Sequence, residues 1–322
     1  MATSSRVELT TASRPNDVRE GGRWSFGQRL KNDLVYAVIT AAIATVGWLP
    51  RSALRRIGVG LGVLAHALVP SARRIARANV ARVMPAMPER ERRALIARVY
   101  RTLGEHLGDA VAMLDARRPV ETLPFAPGAR ETLEAALAEG RGVLFASAHL
   151  GPWERVAATI VEVGLPFAVV AREAYDPRLT RLYERLRSAR GLATIYRGAS
   201  GSGTALLRAL RRGAILGVPM DLASRVPSIE VPFLGIPAAT PVGPARLALR
   251  TRAAVVVAAA TPSPGVPGGL ALAIQRIDVG DLRTAGSGPE AERALTARIN
   301  EAISAAILAM PEGWVWMHPR FS

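Results

Sequence analysis

Residues Val143-Leu-Phe-Ala-Ser-Ala-His149-Leu-Gly-Pro-Trp-Glu154 decide how this chain is read. Positions 143–146 have the length and apolarity of a buried strand, Gly151-Pro152 punctuates the run, and a second apolar-periodic segment covers 153–163. A histidine therefore stands where a strand hands over to a helix. Proline suits the first helical position, so Pro152 there puts Glu154 in the first turn, near the positive end of the helix dipole. On one continuous helix, positions five apart would point about 140° away from each other. A strand-turn-helix joint removes that obstacle. The Glu154 carboxylate can then bond one ring nitrogen of His149 and fix its tautomer, while the other nitrogen takes a proton from a substrate hydroxyl. At this level a satisfied buried histidine is the alternative.

Downstream the same alternation repeats. Helical periodicity at 131–139 leads into the strand at 142–146 and the helix at 153–163, followed by a strand at 167–171 and a helix at 177–190. Short strands at 193–196 and 214–218 flank a helix at 203–212, and a helix at 244–251 precedes strands at 253–260 and 270–274. A last helix covers 289–310. The expected fold is α/β, a mixed, mostly parallel sheet covered by helices, with functional groups at the carboxyl ends of strands. The glycine-rich run at 198–204 has neither the Gly-Lys-Ser/Thr ending of a P-loop nor Gly-x-Gly-x-x-Gly spacing, and reads as a loop that caps a helix.

Upstream the chain has a different character. Residues 1–29 are polar and read as a disordered tail, with no secretory signal pattern. Positions 34–50 carry no charge over 17 residues, with Tyr36 and Trp48 near the two ends, Arg29 and Lys31 before, and Arg51, Arg55 and Arg56 after. That is the lower limit of a membrane-spanning helix. With a second apolar stretch at 57–69, residues 30–70 read as membrane-associating helices and 71–322 as the α/β domain, the denser positive charge after the anchor favouring a cytoplasmic position. A hairpin of core helices is the competing reading. Helices at 71–83 and 88–114 follow, the first with Arg73, Arg74 and Arg77 on a face suited to lipid phosphates or the donor's surface.

The net charge of +16 calls for an anionic partner. Of the 42 basic residues only Lys31 is a lysine, a skew that GC-rich coding alone would produce, so arginine abundance is no sign of phosphate recognition by itself. Nucleic acid is disfavoured: aromatic residues are 5% of the chain and no zinc-finger, RNP or basic-zipper pattern occurs. The lack of cysteine excludes a thiol nucleophile and a disulfide framework, and the four histidines show no metal-ligand spacing, so neither metal nor cofactor is expected.

Five blocks, taken in order, resemble the bacterial late lipid A acyltransferases (lauroyl and myristoyl transferases), within the His-x4-Asp/Glu lysophospholipid acyltransferase group. They are Arg74-Ile-Ala-Arg-Ala-Asn79; His149-Leu-Gly-Pro-Trp-Glu154; Val170-Ala-Arg172 with Asp176-Pro177; Leu216-Gly-Val-Pro-Met-Asp221 with the segments 231–235 and 239–246; and the ending 311–321. The resemblance covers about residues 30 to 320. It departs from the family pattern at Pro152, where asparagine is usual, and at Leu222, where glutamine is usual.

The resemblance implies acyl transfer from an acyl carrier protein thioester, with coenzyme A as second choice, to a hydroxyl of a lipid A-type glycolipid. It makes His149 the general base, oriented by Glu154. Backbone amides around Pro152 to Glu154, with Arg172, are candidates for holding the oxyanion, and Gly151, Trp153 and Asp221 for the oxyanion or substrate site. It further implies anionic membrane lipids as partners and the cytoplasmic side of a bacterial inner membrane as the location. The alternatives are another glycolipid or phospholipid acceptor, an acyl-phosphatidylinositol mannoside among them, or a non-catalytic lipid-binding protein on the same fold.

Overall fold

The apolar run at 143–147 forms the strand from which the rest of the sheet extends on both sides. The computed structural model describes residues 18, 22–46, 48–198, 201–266, 269–284 and 288–321. Most of the expected tail, and Ala199 and Ser200 of the glycine-rich loop, lie outside the described residues. Four helices come first: α1 (Phe26–Val46), α2 (Arg51–Leu68), α3 (Pro70–Val83) and α4 (Glu89–Ala112). Then follow α5 (Ala129–Ala138), β1 (Val143–Ser147), α6 (Trp153–Glu162), β2 (Phe167–Ala171), α7 (Pro177–Ser188), β3 (Ala193–Tyr196), α8 (Ser202–Arg211) and β4 (Ile215–Pro219). The remainder is β5 (Ser228–Phe233), β6 (Ile236–Pro241), α9 (Gly243–Thr251), β7 (Ala254–Pro262), β8 (Leu270–Arg276), α10 (Gly280–Thr284), α11 (Pro289–Ala309) and a 3₁₀ turn, Pro311–Gly313.

The main sheet has the order β3-β2-β4-β1-β7-β8, parallel throughout except for β8, which runs antiparallel to β7. Alternation along β1 sends Val143 and Phe145 into a core with α5 and α6, and Leu144 and Ala146 into a second core with α4, α9 and α11. The expected α/β layering is therefore present, with helices on both faces. A separate hairpin, β5–β6, was not anticipated from periodicity. Its prolines at 232, 237 and 241 argue against a strand. What makes the hairpin is the two-residue turn Leu234-Gly235, both at positive φ (51° and 76°), as a tight hairpin of this hand requires. The strained Leu234 is held from outside, its side chain buried and its N–H donating to Ser304 Oγ at 2.8 Å.

The expected single helix over 34–50 does not form. The helix instead starts at Phe26, taking in Arg29, Lys31 and Asp33, and stops at Val46. Among the described residues no single helix is long and apolar enough to cross a membrane; α2 and α3 pass that test only together, bent by 88°. α1 leaves Phe26, Leu30, Leu34, Val35 and Val38 exposed, and α2 does the same with Ile57, Leu61, Leu64 and Leu68, spaced four, three and four apart on one face.

The opposite face of α2 is glycine. Gly58 and Gly62 lie directly against Gly104 and Gly108 of α4, so close that a Cβ on Gly104 would stand 2.2 Å from the Gly58 carbonyl oxygen. Backbone meets backbone there, and no side chain fits. Gly60, on the outer side of the same helix, has nothing within 4 Å of its would-be Cβ. Gly104→Ala is expected to lower the thermal midpoint, with a cost of about 1–3 kcal/mol from overpacking. Gly60→Ala should raise it slightly, by about 0.5–1 kcal/mol from helix propensity. Equal melting shifts for the two variants would contradict this packing.

Candidate active site

β1 and β4 are parallel neighbours in a register that pairs Ser147 with Pro219. Two residues beyond that pair stand His149 on one strand and Asp221 on the other, and the step is fastened by the Met220 N–H donating to the Ser147 carbonyl at 2.9 Å. The carboxylate of Asp221 is fully buried. Its Oδ1 lies 2.9 Å from His149 Nδ1, and its Oδ2 accepts the His149 backbone N–H at 2.9 Å and the Trp314 indole N–H at 2.8 Å. Three donors thus keep a carboxylate ionised where an isolated one would neutralise.

This arrangement corrects one geometric expectation. The ring nitrogen assigned to Glu154 is bonded by Asp221 instead, because the parallel register delivers Asp221 to the end of β1 while the turn carries Glu154 onto α6. Pro152 caps α6 rather than opening it, and Glu154 in the first turn faces α7, where it pairs with Arg187 at 3.6 Å. Glu154 reaches His149 only by its charge. Burial disfavours a charged imidazole, yet the charge and hydrogen bond of Asp221, with the charge of Glu154 added, outweigh it and raise the His149 pKa above its usual value. The His149 side chain is 32% exposed and lines a cavity.

The turn itself is set by the chain's far end. Gly151 takes φ +59°, its N–H donates to the Gly313 carbonyl at 2.9 Å, and Leu150 bridges to Trp314. Trp314 and Trp316 are fully buried, edge to face at 4.8 Å. Asn79 of α3 holds this tail by donating from Nδ2 to the carbonyls of Trp316 and His318, both at 2.8 Å. The first and last sequence blocks therefore meet, and they meet behind the histidine.

The other expected residues are placed as follows. Trp153 stands edge-on to His149 at 5.4 Å. The Gly151 and Trp153 amides, considered for the oxyanion, are already bonded to the carbonyls of Gly313 and Gly151. Arg172 lies one residue past the end of β2, its guanidinium over the Tyr175 ring at 5.2 Å. Arg73 turns back to bond the His66 carbonyl near the end of α2, leaving Arg74 and Arg77 exposed on α3. Among the described residues no three His, Asp or Glu side chains cluster to hold a metal ion.

Two residues escaped sequence reasoning. Arg197 follows β3 as Arg172 follows β2, one position past the register pair Ala171 and Tyr196. No acid pairs with it among the described residues, and burial together with the charge of Arg172 lowers its pKa. His318 lines the same cavity as His149, with Nδ1 buried and unpaired. Burial keeps its pKa low, and so its ring neutral, against the pull of Asp221.

These groups surround a cavity of about 710 Å³ at the carboxyl ends of β1, β2 and β4. His149, Glu154, Arg172, Arg197 and His318 stand among its polar lining. Its apolar walls include Phe145, Phe167, Val169, Leu206, Leu216 and Leu247, and the Phe167 ring covers Gly217 so closely that a Cβ there would stand 2.4 Å from Cζ.

The profile of the family described as bacterial lipid A biosynthesis acyltransferase matches residues 28–322. The chain belongs to that family. It is also similar to two curated phosphatidylinositol mannoside acyltransferases of Mycobacterium tuberculosis, from strains CDC 1551 / Oshkosh and ATCC 25618 / H37Rv. Each is 26% identical over 184 residues, which is 56% of this chain and 58% of the relative. The match thus spans somewhat over half the length of these relatives. In this family member the His-x4-Glu pair is present in the sequence, and the hydrogen-bonded dyad joins His149 to Asp221.

The dyad makes a prediction about titration. Asp221→Asn should lower the His149 pKa, followed by imidazole proton NMR, and Glu154→Gln should lower it by a smaller amount because it acts through charge alone. A larger shift for Glu154→Gln would refute the dyad.

Proposed function

We propose that the protein is an O-acyltransferase that moves a fatty acyl chain from a thioester to a hydroxyl of a membrane glycolipid. The observation that carries this reading is the imidazole of His149, backed by a buried carboxylate and opening into a deep apolar cavity. With Nδ1–H held by Asp221, Nε2 is the basic nitrogen. It takes the proton of the acceptor hydroxyl as that oxygen attacks the thioester carbonyl carbon. The oxyanion collapses, the carbon–sulfur bond breaks, and the departing thiolate recovers the proton from Nε2, leaving an ester and a free thiol. A thioester is already activated, so no acyl-enzyme is needed. Asp221 stays ionised throughout and stabilises the imidazolium.

The apolar depth of the cavity suits the acyl chain. At its mouth Arg172 and Arg197, like charges without an acid between them, suit a phosphate, either on the donor's carrier arm or on the acceptor. The basic excess of the chain supports an acidic acyl carrier protein as donor, ahead of coenzyme A, and anionic lipid as the surface. The exposed apolar faces of α1 and α2, next to Arg74 and Arg77, support seating on a membrane, proposed as the cytoplasmic face of a bacterial inner membrane. For the acceptor, the family description favours a lipid A-type glycolipid and the curated relatives a mannosylated phosphoinositide. Both offer sugar hydroxyls beside an anionic group.

Purified protein, given acyl carrier protein and coenzyme A thioesters with each acceptor, should yield an acylated lipid by mass spectrometry. His149→Ala should lower turnover by about 10²- to 10⁴-fold in a folded protein. Substantial transfer by that variant would sink the mechanism.

The pH dependence has a definite sign. The base acts when neutral, so the rate should rise with pH through the raised His149 pKa and then level. Asp221→Asn should move that limb to lower pH and depress the plateau; an unmoved limb would assign it to another group.

A further inference from the structure

A second cavity of about 520 Å³ lies on the other side of α6, between that helix, α1, α4 and α7. Glu154 and Trp153 in the first turn of α6 line both cavities, as do Arg187 and Leu192. Further along, the helix divides them: Val156 and Ala157 face the first, Arg155 and Ala158 the second. The two spaces therefore meet at one place, beside Trp153, whose ring stands edge-on to His149.

The second cavity differs in its electrostatics. In the first, no acid pairs with Arg197 among the described residues, and Arg172 stacks on Tyr175, while Glu154 is shared with the second. In the second, Asp109 is bonded by Arg55 at 2.6 Å, and Arg155 lies 3.7 Å from that carboxylate. Arg190 donates to the carbonyls of Met113, Asp115 and Arg118. His106 has both ring nitrogens buried without a partner, and burial drives its pKa down to about 4, so the ring is neutral at pH 7. The charged groups of this wall are thus paired with an opposite charge or hydrogen-bonded within the protein. Ile39 and Ile43 of α1, with Leu103 and Leu107 of α4, supply apolar surface, and α1 turns Leu34, Val35 and Val38 outward. A pocket of this size and lining takes a flexible apolar ligand.

We propose that this cavity holds an acyl chain of the acceptor lipid, drawn in beneath α1, while the donor's chain fills the first cavity. The inference rests on the acyl-transfer reading above and deepens it, because it gives the acceptor's own chain a seat apart from the donor's. The acceptor's polar part then lies at the junction, where the Glu154–Arg187 pair is the polar feature common to both cavities and Trp153, next to Glu154 in the chain, stands edge-on to His149. It also gives Glu154 a place at the acceptor rather than at the imidazole.

The test uses the full chain and two variants that fill the second cavity from opposite walls, Ala158→Phe on α6 and Ala110→Phe on α4. Dodecanoic acid is the binding probe, its stoichiometry read by native mass spectrometry. Two equivalents on the unaltered protein, falling to one in whichever variant folds with an unchanged melting profile, are expected. The ratio of kcat/KM for an acylated acceptor to that for its deacylated, water-soluble headgroup should fall about tenfold or more. One equivalent on the unaltered protein, two on both variants, or a change in donor chain-length preference instead of the acceptor ratio would overturn the proposal. The stoichiometry is decided even if no acceptor is turned over, so this inference and the transferase reading fail separately.

Discussion

A single buried carboxylate holds the site together. Asp221 has no exposed surface, and a charge in such a place persists only when hydrogen bonds replace the water it has lost. All three of its donors come from elements far away in the chain: the backbone and ring of His149, 72 residues earlier, and the indole of Trp314, 93 residues later. Satisfying Asp221 therefore requires that β1, β4 and the carboxyl-terminal tail be in place at once. The same bonds that make its burial tolerable also fix the tautomer of His149, so the stability of this corner and its chemistry are one constraint.

The tail has a structural role that its sequence does not announce. Residues 311–321 have no regular element beyond a 3₁₀ turn, yet they bury two tryptophans and Arg320. Arg320 donates to Ala239 and Thr240 of the β5–β6 hairpin and stacks over Phe233 at 4.6 Å, with a pKa lowered to about 10 by burial. Asn79 grips the tail from α3. An irregular segment can be this well buried only when side chains and neighbouring backbone take up its polar groups. Here Asn79 takes up the carbonyls of Trp316 and His318, and the tail in turn pins the Gly151 turn and the Trp314 donor.

The start of α6 is where two chemistries are kept apart. One side of the helix meets a cavity that Arg172 and Arg197 line, the other a cavity whose charged groups are paired or hydrogen-bonded within the protein. Glu154 and Arg187 at the junction pair with each other across 3.6 Å, a distance that leaves room for both to turn towards a ligand. Outside, the glycine seam between α2 and α4 lets α2 lie flat against the domain and present its leucines outward, which side chains at Gly58 and Gly62 would prevent.

The local elements follow from patterns along the chain. Short runs of strand-forming residues and helical periodicity placed β1, β2 and β3 within a residue of their observed ends, and His149 at a strand's carboxyl end, because such patterns depend on neighbours along the chain. Leu234-Gly235 was a turn signal hidden among prolines. Which carboxylate meets the histidine depends instead on how the strands assemble. Proximity in sequence favoured Glu154. Strand order and parallel register favoured Asp221, since β1 and β4 lie side by side with Ser147 opposite Pro219. The same register logic set Arg197 beside Arg172 at the ends of β3 and β2. Pairing between strands is a long-range choice made by burial and hydrogen bonding over the whole sheet, and no local pattern encodes it.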